Sequence, residues 1–261
     1  MVFPAQIGKI VSGEPYQVDS IGMSGSKVLI FSDKVLKVQD YNRDSENEYR
    51  MLTWLQGKLP VPEVIACGVM DKRLYLLMSK CSGEMACERK YMEQPEKLAG
   101  LLAEGLKRLW EVDISDCPVD ARLQNKLARA AYYVEKGLVD MDYVEPETFG
   151  ENGFKGPEEL LQWLRDNRPK EEPVLSHGDF CLPNVFLSDG RVTGYLDLGG
   201  AGVADKWCDI ALCYRSLSHN YSGKYGRQAY SGFDGQLLFR ELGIEPDWEK
   251  IRYYILLDEL F

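Results

Sequence analysis

Hydrophobic and polar residues follow one another in two rhythms along this chain, and the rhythm changes near residue 80. Before that point the apolar runs are short. Val18 and Ile21, Val28–Ile30, Val35–Val38, Val64–Val69 and Leu74–Met78 are β-branched or aliphatic stretches bounded by turn formers, the pattern of strands. One helix is expected among them. Ser45 can cap a segment running to about Gln56, with Met51, Leu52, Trp54 and Leu55 as its packed face, Gly57 as its stop and Glu48 completing a capping box. After the turn-like Ser79-Lys80-Cys81-Ser82-Gly83 the spacing becomes helical. Pro95 to Trp110 lines up Leu98, Leu101, Leu102, Leu106 and Leu109, and further helices are expected from Ala121 to about Lys136 and from Pro157 to about Asn167. Asp205 opens another, to about Ser216, and Asp247 caps a last one from Trp248 to Leu260. The pattern predicts an α+β chain in two lobes: residues 1–80, a small antiparallel sheet with one helix, and residues 81–261, larger and mainly helical.

The chemistry concentrates between Leu175 and Gly199. Val185–Leu187 and Val192–Leu196 flank Ser188-Asp189-Gly190-Arg191, which predicts a hairpin. Asp179 and Asn184 precede it, five residues apart, and Asp197 follows its second strand, so folding back gathers three oxygen-bearing side chains. Such a group suits magnesium, a hard cation that takes oxygen ligands and shares them with phosphates. Asp and Asn also cap ordinary turns, and it is the two clusters with the hairpin between them that carry the signal. Upstream, Lys37 lies among apolar strand residues and draws notice because a helix with an acidic residue, Glu48, follows it. Glu48 has the capping box as its competing role, and Lys37 has simple solvation. Gly22-Met23-Ser24-Gly25-Ser26 is either a plain hairpin turn or a loop that offers N–H groups and hydroxyls to phosphates.

Composition narrows the partners. The net charge of −10 at pH 7 argues against nucleic acid, whose binders carry basic patches. Residues 1–80 hold ten Lys and Arg against nine Asp and Glu, leaving 21 against 32 in the remainder, a surface that attracts cations. Asp140, Asp142, Glu145, Glu147 and Glu151 crowd one part of it, either as a solvated loop or as a wall facing a polycation. The seven cysteines form no Cys-x-x-Cys pair, which argues against a zinc site and a disulfide framework. With no apolar run near the roughly 20 residues of a membrane helix and no leader pattern at Met1–Gln6, a cytoplasmic location without membrane contact is expected. No feature bears on oligomeric state.

The order Asp179, Asn184, hairpin, Asp197-Leu198-Gly199 resembles the catalytic and metal-binding loops of protein-kinase-like phosphotransferases. The likeness is closer than that. Trp54-Leu55-Gln56-Gly57-Lys58-Leu59-Pro60-Val61-Pro62, Ser176-His177-Gly178-Asp179, Ala204-Asp205-Lys206-Trp207-Cys208-Asp209-Ile210-Ala211 and Asp258-Glu259-Leu260-Phe261 make the chain, over nearly its whole length, similar to the aminoglycoside 3'-phosphotransferases. The resemblance implies a bilobal kinase-like fold, ATP and magnesium, and transfer of the γ-phosphoryl group to the 3'-hydroxyl of polycationic drugs such as kanamycin or neomycin. It implies Asp179 as the catalytic aspartate, Asn184 and Asp197 as magnesium ligands, and Lys37 with Glu48 on the phosphates. Ser24 would meet the β-phosphate, Ser79 and Cys81 would lie at the adenine hinge, and Glu259 with the carboxylate of Phe261 would receive substrate ammonium groups. His177 and Asp209 would brace the loop. Two positions depart from the family: Gly200, where many relatives carry arginine, and Val35, where some stack a tyrosine on adenine. The competing readings are a kinase of this fold for choline or a macrolide, and a nucleotide-binding scaffold without catalysis.

Overall fold

In the computed structural model, residues 2–19, 26–142, 144–151, 153–224 and 228–261 are described. A short helix α1 (Ala5–Ile10) precedes strands β1 (Gln17–Asp19), β2 (Lys27–Ile30) and β3 (Lys34–Asp40). Helix α2 (Arg43–Leu55) follows, then β4 (Val64–Met70) and β5 (Arg73–Ser79). The five strands form one antiparallel sheet in the order β1-β2-β3-β5-β4. Strand alternation divides its side chains between two cores. Tyr75 and Leu77 of β5 join Leu36, Val38 and Ile7 of α1 on the outer face, while Leu74, Leu76 and Met78 join Met51, Leu52 and Leu55 of α2 on the inner one. Lys37 pairs in register with Leu76 and so stands on the inner face.

The rest is mainly helical. After β6 (Glu84–Met85) and a single turn α3 (Arg89–Met92) come α4 (Pro95–Trp110), α5 (Leu123–Lys136) and α6 (Pro157–Asp166). Strands β7 (Pro173–Ser176), β8 (Val185–Ser188), β9 (Arg191–Tyr195) and β10 (Gly202–Asp205) follow, then helices α7 (Lys206–Ser222), α8 (Leu237–Leu242) and α9 (Trp248–Asp258). The leucine stripe expected on α4 is buried, and each such side chain is worth about 1.5–3 kcal/mol. Among the described residues, no helix is long and apolar enough to cross a membrane.

Two local arrangements position the chemistry. The β8–β9 hairpin turns through Asp189 and Gly190, both at positive φ (50° and 72°), as an Asp-Gly turn prefers. It lies close against α4 at Gly105, where an added Cβ would sit 3.0 Å from Val192, and Tyr195 donates its hydroxyl to the Gly105 carbonyl at 2.9 Å. The second arrangement is the two-stranded antiparallel sheet of β7 and β10, which brings the segment before Asp179 beside the segment after Asp197.

Helix α2 starts earlier than the sequence pattern suggests. Its cap is Asn42, whose side chain accepts from the Ser45 N–H at 2.9 Å, while Ser45 Oγ accepts from the Asn42 N–H at 2.9 Å. Ser45 is thus the third helical residue of the box, not its cap. Glu48 lies a turn further on and takes no part in capping. Helix α7 also runs on to Ser222, about six residues past the expected end.

Candidate functional site

Asp209, buried near the start of α7, organises the loop after β7. Its carboxylate accepts from Ser176 Oγ at 3.0 Å, from the His177 N–H at 2.7 Å and from the Gly178 N–H at 2.9 Å. The loop can pass this close only because Gly178 has φ +81°, and a Cβ there would meet the Gly200 carbonyl oxygen at 2.1 Å. His177 is fully buried against Phe180 and Tyr195, and its Nδ1 accepts from the Asp179 N–H at 3.3 Å. Burial holds its imidazole below the ordinary pKa, so the ring is a neutral brace.

Asp179, so placed, is partly exposed to a cleft. Asn184 Nδ2 donates to its Oδ2 at 2.8 Å, and Cys181 Sγ to its Oδ1 at 2.9 Å. Burial first, then the nearby charge of Asp258, raise its carboxyl above the ordinary range. Because Asn184 spends its amide nitrogen on Asp179, its carbonyl oxygen is the group left to face a cation. The Leu196 N–H donates to the main-chain carbonyl of Asn184 at 2.9 Å, which holds Asn184 beside the residue preceding Asp197 and leaves its side-chain oxygen unused. Asp197 has left-handed backbone (φ 56°) and a half-exposed side chain. Two oxygen donors beside an open cleft fit magnesium, which takes few protein ligands and completes its shell with water and phosphate.

Lys37 faces this pair from the sheet. Its Nζ lies 2.8 and 3.0 Å from the two oxygens of Glu48 and 2.5 Å from Asp197 Oδ1, and Gln39 Nε2 donates to Glu48 Oε2 at 2.6 Å. Burial pulls the lysine pKa down, but Glu48 and Asp197 outweigh it and hold the ammonium above its ordinary value. The structure therefore joins Lys37, Glu48 and Asp197 directly. Asn47, unmarked in the sequence, completes the frame by bonding the turn after Asp197.

The cleft has a volume of about 400 Å³, and Lys37, Glu48, Asp179, Asp197, Gly200 and Phe261 all line it. Asp44, Asp120 and Asp258 add acids to its wall, and Lys126 and Arg129 add cations. Arg129 bonds Asp44 Oδ2 at 2.5 Å and lies 4.6 Å over the Phe261 ring, so α2, α5 and the end of the chain meet at one guanidinium. Glu259 is placed differently. Its buried carboxylate accepts from the Glu145 N–H at 2.8 Å and lies 3.7 Å from Arg215, and burial lifts its pKa to about 7. Of the two residues expected on the substrate side, Phe261 lines the cleft and Glu259 is turned inward against the acidic loop, with Asp258 lining the wall instead.

Ser79 and Cys81 lie where the sheet gives way to the helical half, away from that cleft wall. Ser79 Oγ accepts from the Glu63 N–H at 2.9 Å. Burial raises the Cys81 thiol to about 11, and its sulfur fills the space a Cβ on Gly194 would occupy. Ser24 lies outside the described residues.

The phosphotransferase enzyme family matches residues 22–254. An aminoglycoside 3'-phosphotransferase of Enterococcus faecalis is 42% identical over 255 residues, 93% of this chain and 92% of that protein. The chain belongs to this family. A family member from Niallia circulans bearing the same name is 34% identical over 276 residues, 99% of this chain and 97% of that protein. Among solved structures, the aminoglycoside-3'-phosphotransferase of type VIII superposes with a TM-score of 0.83 at 29% identity, covering 98% of this chain and 97% of that one. The fold also matches a Streptomyces rimosus aminoglycoside phosphotransferase, determined with ADP and streptomycin, at a TM-score of 0.78 and 23% identity over 97% of this chain and 95% of that one. The bilobal kinase-like fold expected from the sequence is that of the family. Asn47 and Arg129 line the cleft and Cys181 bonds Asp179, and none of the three belongs to a recognisable spacing in the sequence.

Proposed function

We propose that this chain transfers the γ-phosphoryl group of ATP to the 3'-hydroxyl of aminoglycoside antibiotics and so confers resistance to them. The observation that carries the reading is one cleft lined by Lys37, bonded to Glu48 and Asp197, and by Asp179, with Asn184 bonded behind Asp179. Lys37 would set the α- and β-phosphates, with Ser24, Ser79 and Cys81 on the nucleotide side. Asn184 and Asp197 would hold magnesium, which supplies charge neutralisation on the transferring group. Asp179 would accept the hydrogen bond of the attacking hydroxyl and orient it, taking its proton as the new P–O bond forms. In a loose transition state positioning and charge do most of the work, so a weak base suffices. The acidic helical half suits substrates that are polycations at neutral pH. Phe261 and Glu259 stand on that side, Glu259 acting through the loop it anchors.

An ADP-release assay over a panel of amines tests this. Kanamycin and neomycin are expected to stimulate ATP turnover and their 3'-deoxy counterparts not. Equal stimulation by a 3'-deoxy drug would move the site of transfer, and stimulation by choline or a macrolide alone would overturn the substrate class.

A further inference from the structure

Asp179 is held at both oxygens, and only one of the two holders has an explained role. Asn184 presents an oxygen to the metal and must turn its nitrogen somewhere. Cys181 has no such reason to be there. Its N–H donates to the Asp179 carbonyl at 2.8 Å, closing a tight turn that swings the side chain back over its neighbour's carboxylate, Sγ to Oδ1 at 2.9 Å. Burial, and then the adjacent charge of Asp179, push the thiol well above its ordinary pKa, so the group is an S–H donor and not a thiolate.

We propose that Cys181 is a positioning residue for phosphoryl transfer, its S–H fixing the Asp179 carboxylate in the orientation that offers a lone pair to the acceptor hydroxyl. The proposal rests on the reading of Asp179 given above. With Oδ2 held by Asn184 and Oδ1 by Cys181, the plane of the carboxylate is set, and the unused lone pairs point in fixed directions. Loss of the thiol leaves one oxygen free to seek other partners. The charged groups around it are Asp197 with its Lys37, Asp258 on α9, Arg215 on α7 and, below, the neutral His177. Burial and the two aspartates push the Asp179 pKa up, while the S–H and Arg215 pull it down.

The test compares Cys181→Ala, Cys181→Ser and the wild type, using ATP and kanamycin, with kcat and KM measured at neutral pH. The S–H is a weak donor, so Cys181→Ala is expected to lower kcat by roughly 3- to 10-fold with KM unchanged. Cys181→Ser keeps a donor of similar size and is expected to restore kcat. Ala and Ser variants that behave alike, both intact or both equally impaired, overturn the proposal, as does a loss confined to KM. If the Ala variant fails to fold, the serine variant decides alone: a kcat reduced as far as alanine is expected to reduce it overturns the proposal. Wild-type turnover by Asp179→Asn would overturn the reading of Asp179 itself, and it is told apart because it arises with Cys181 untouched.

Discussion

The side-chain amide of Asn47 donates to the Gly199 carbonyl at 2.7 Å and to the Ala201 carbonyl at 2.9 Å, so α2 is fastened to the turn that follows Asp197. The helix carrying Glu48 and the loop carrying Asp197 thus move as one piece, with Lys37 bonded to both. Asn47→Ala leaves two carbonyls without their donor, a loss of about 1–3 kcal/mol. Steady-state kinetics should show kcat reduced roughly 10-fold and the ATP KM raised, with the aminoglycoside KM little changed. Asn47→Asp should be worse, since it sets an acceptor against two acceptors. Unaltered kinetics in both variants would show that the fastening has no bearing on turnover.

Lys37 and Glu48 form a buried ion pair, and breaking such a pair from one side costs about 3–5 kcal/mol because the other charge is stranded. Lys37→Met should therefore lower thermal stability as well as ATP affinity. Adding Glu48→Gln should recover much of the stability and none of the affinity. Calorimetric titration should find ATP binding weakened by roughly 10- to 100-fold and drug binding nearly intact. Equal weakening of both ligands would remove the phosphate role.

Asp179 must be ionised to accept a proton, and its pKa is raised, so activity should fall on acidification at a pH above the ordinary carboxylate range of about 4. Asp179→Asn should reduce kcat by roughly 10²-fold or more while ATP still binds. Part of the raised pKa comes from Asp258, and Asp258→Asn should shift the acid limb of kcat to lower pH. A limb that stays in place would mean that another group controls it.

Glu259 offers a test by stability instead of activity. Its folded pKa of about 7 lies above its unfolded value near 4.5, so the folded state holds the proton more tightly. Glu259 therefore favours folding below the unfolded pKa, and that contribution is lost as pH rises through the folded pKa. Glu259→Gln can still accept from the Glu145 N–H. Its thermal stability relative to wild type should therefore improve between pH 5 and pH 8. A constant difference across that range would show that Glu259 is already ionised at pH 5.

Much of this site is legible in the residues because its signals are local. The hairpin is announced by Asp189-Gly190, and Asp179, Asn184 and Asp197 stand at the spacing that the hairpin folds together. Lys37 and Glu48 read as a pair because a strand leads directly into a helix. The α2 cap is harder, since Asn42 and Ser45 can each serve as either half of a reciprocal box, and only the backbone decides which accepts first. Strands β7 and β10 pair across 26 or more residues without a hydrophobic period long enough to show it. Asn47 and Arg129 escape for a similar reason: a polar residue on an amphipathic helix looks solvated until the loop or aspartate it binds arrives from far along the chain. Glu259 was expected at the cleft, but a carboxylate one residue from Asp258 points elsewhere on a helix, and here that is towards the Glu145 loop.

The backbone contact between Gly178 and Gly200 is unequal in what it permits, and that inequality constrains how such an enzyme can evolve under drug selection. At Gly178 both the φ of +81° and the Gly200 carbonyl exclude any side chain, so a library of single substitutions grown on kanamycin should yield no survivors there, alanine included. Gly200 has no positive φ, and a Cβ on it would lie 3.3 Å from Gly178, a distance the loop can absorb with a small shift. Larger residues should be recoverable at that position. Adaptive change in the charge of this part of the cleft is thereby channelled through one side of the contact, while the other is frozen for as long as the loop keeps its path.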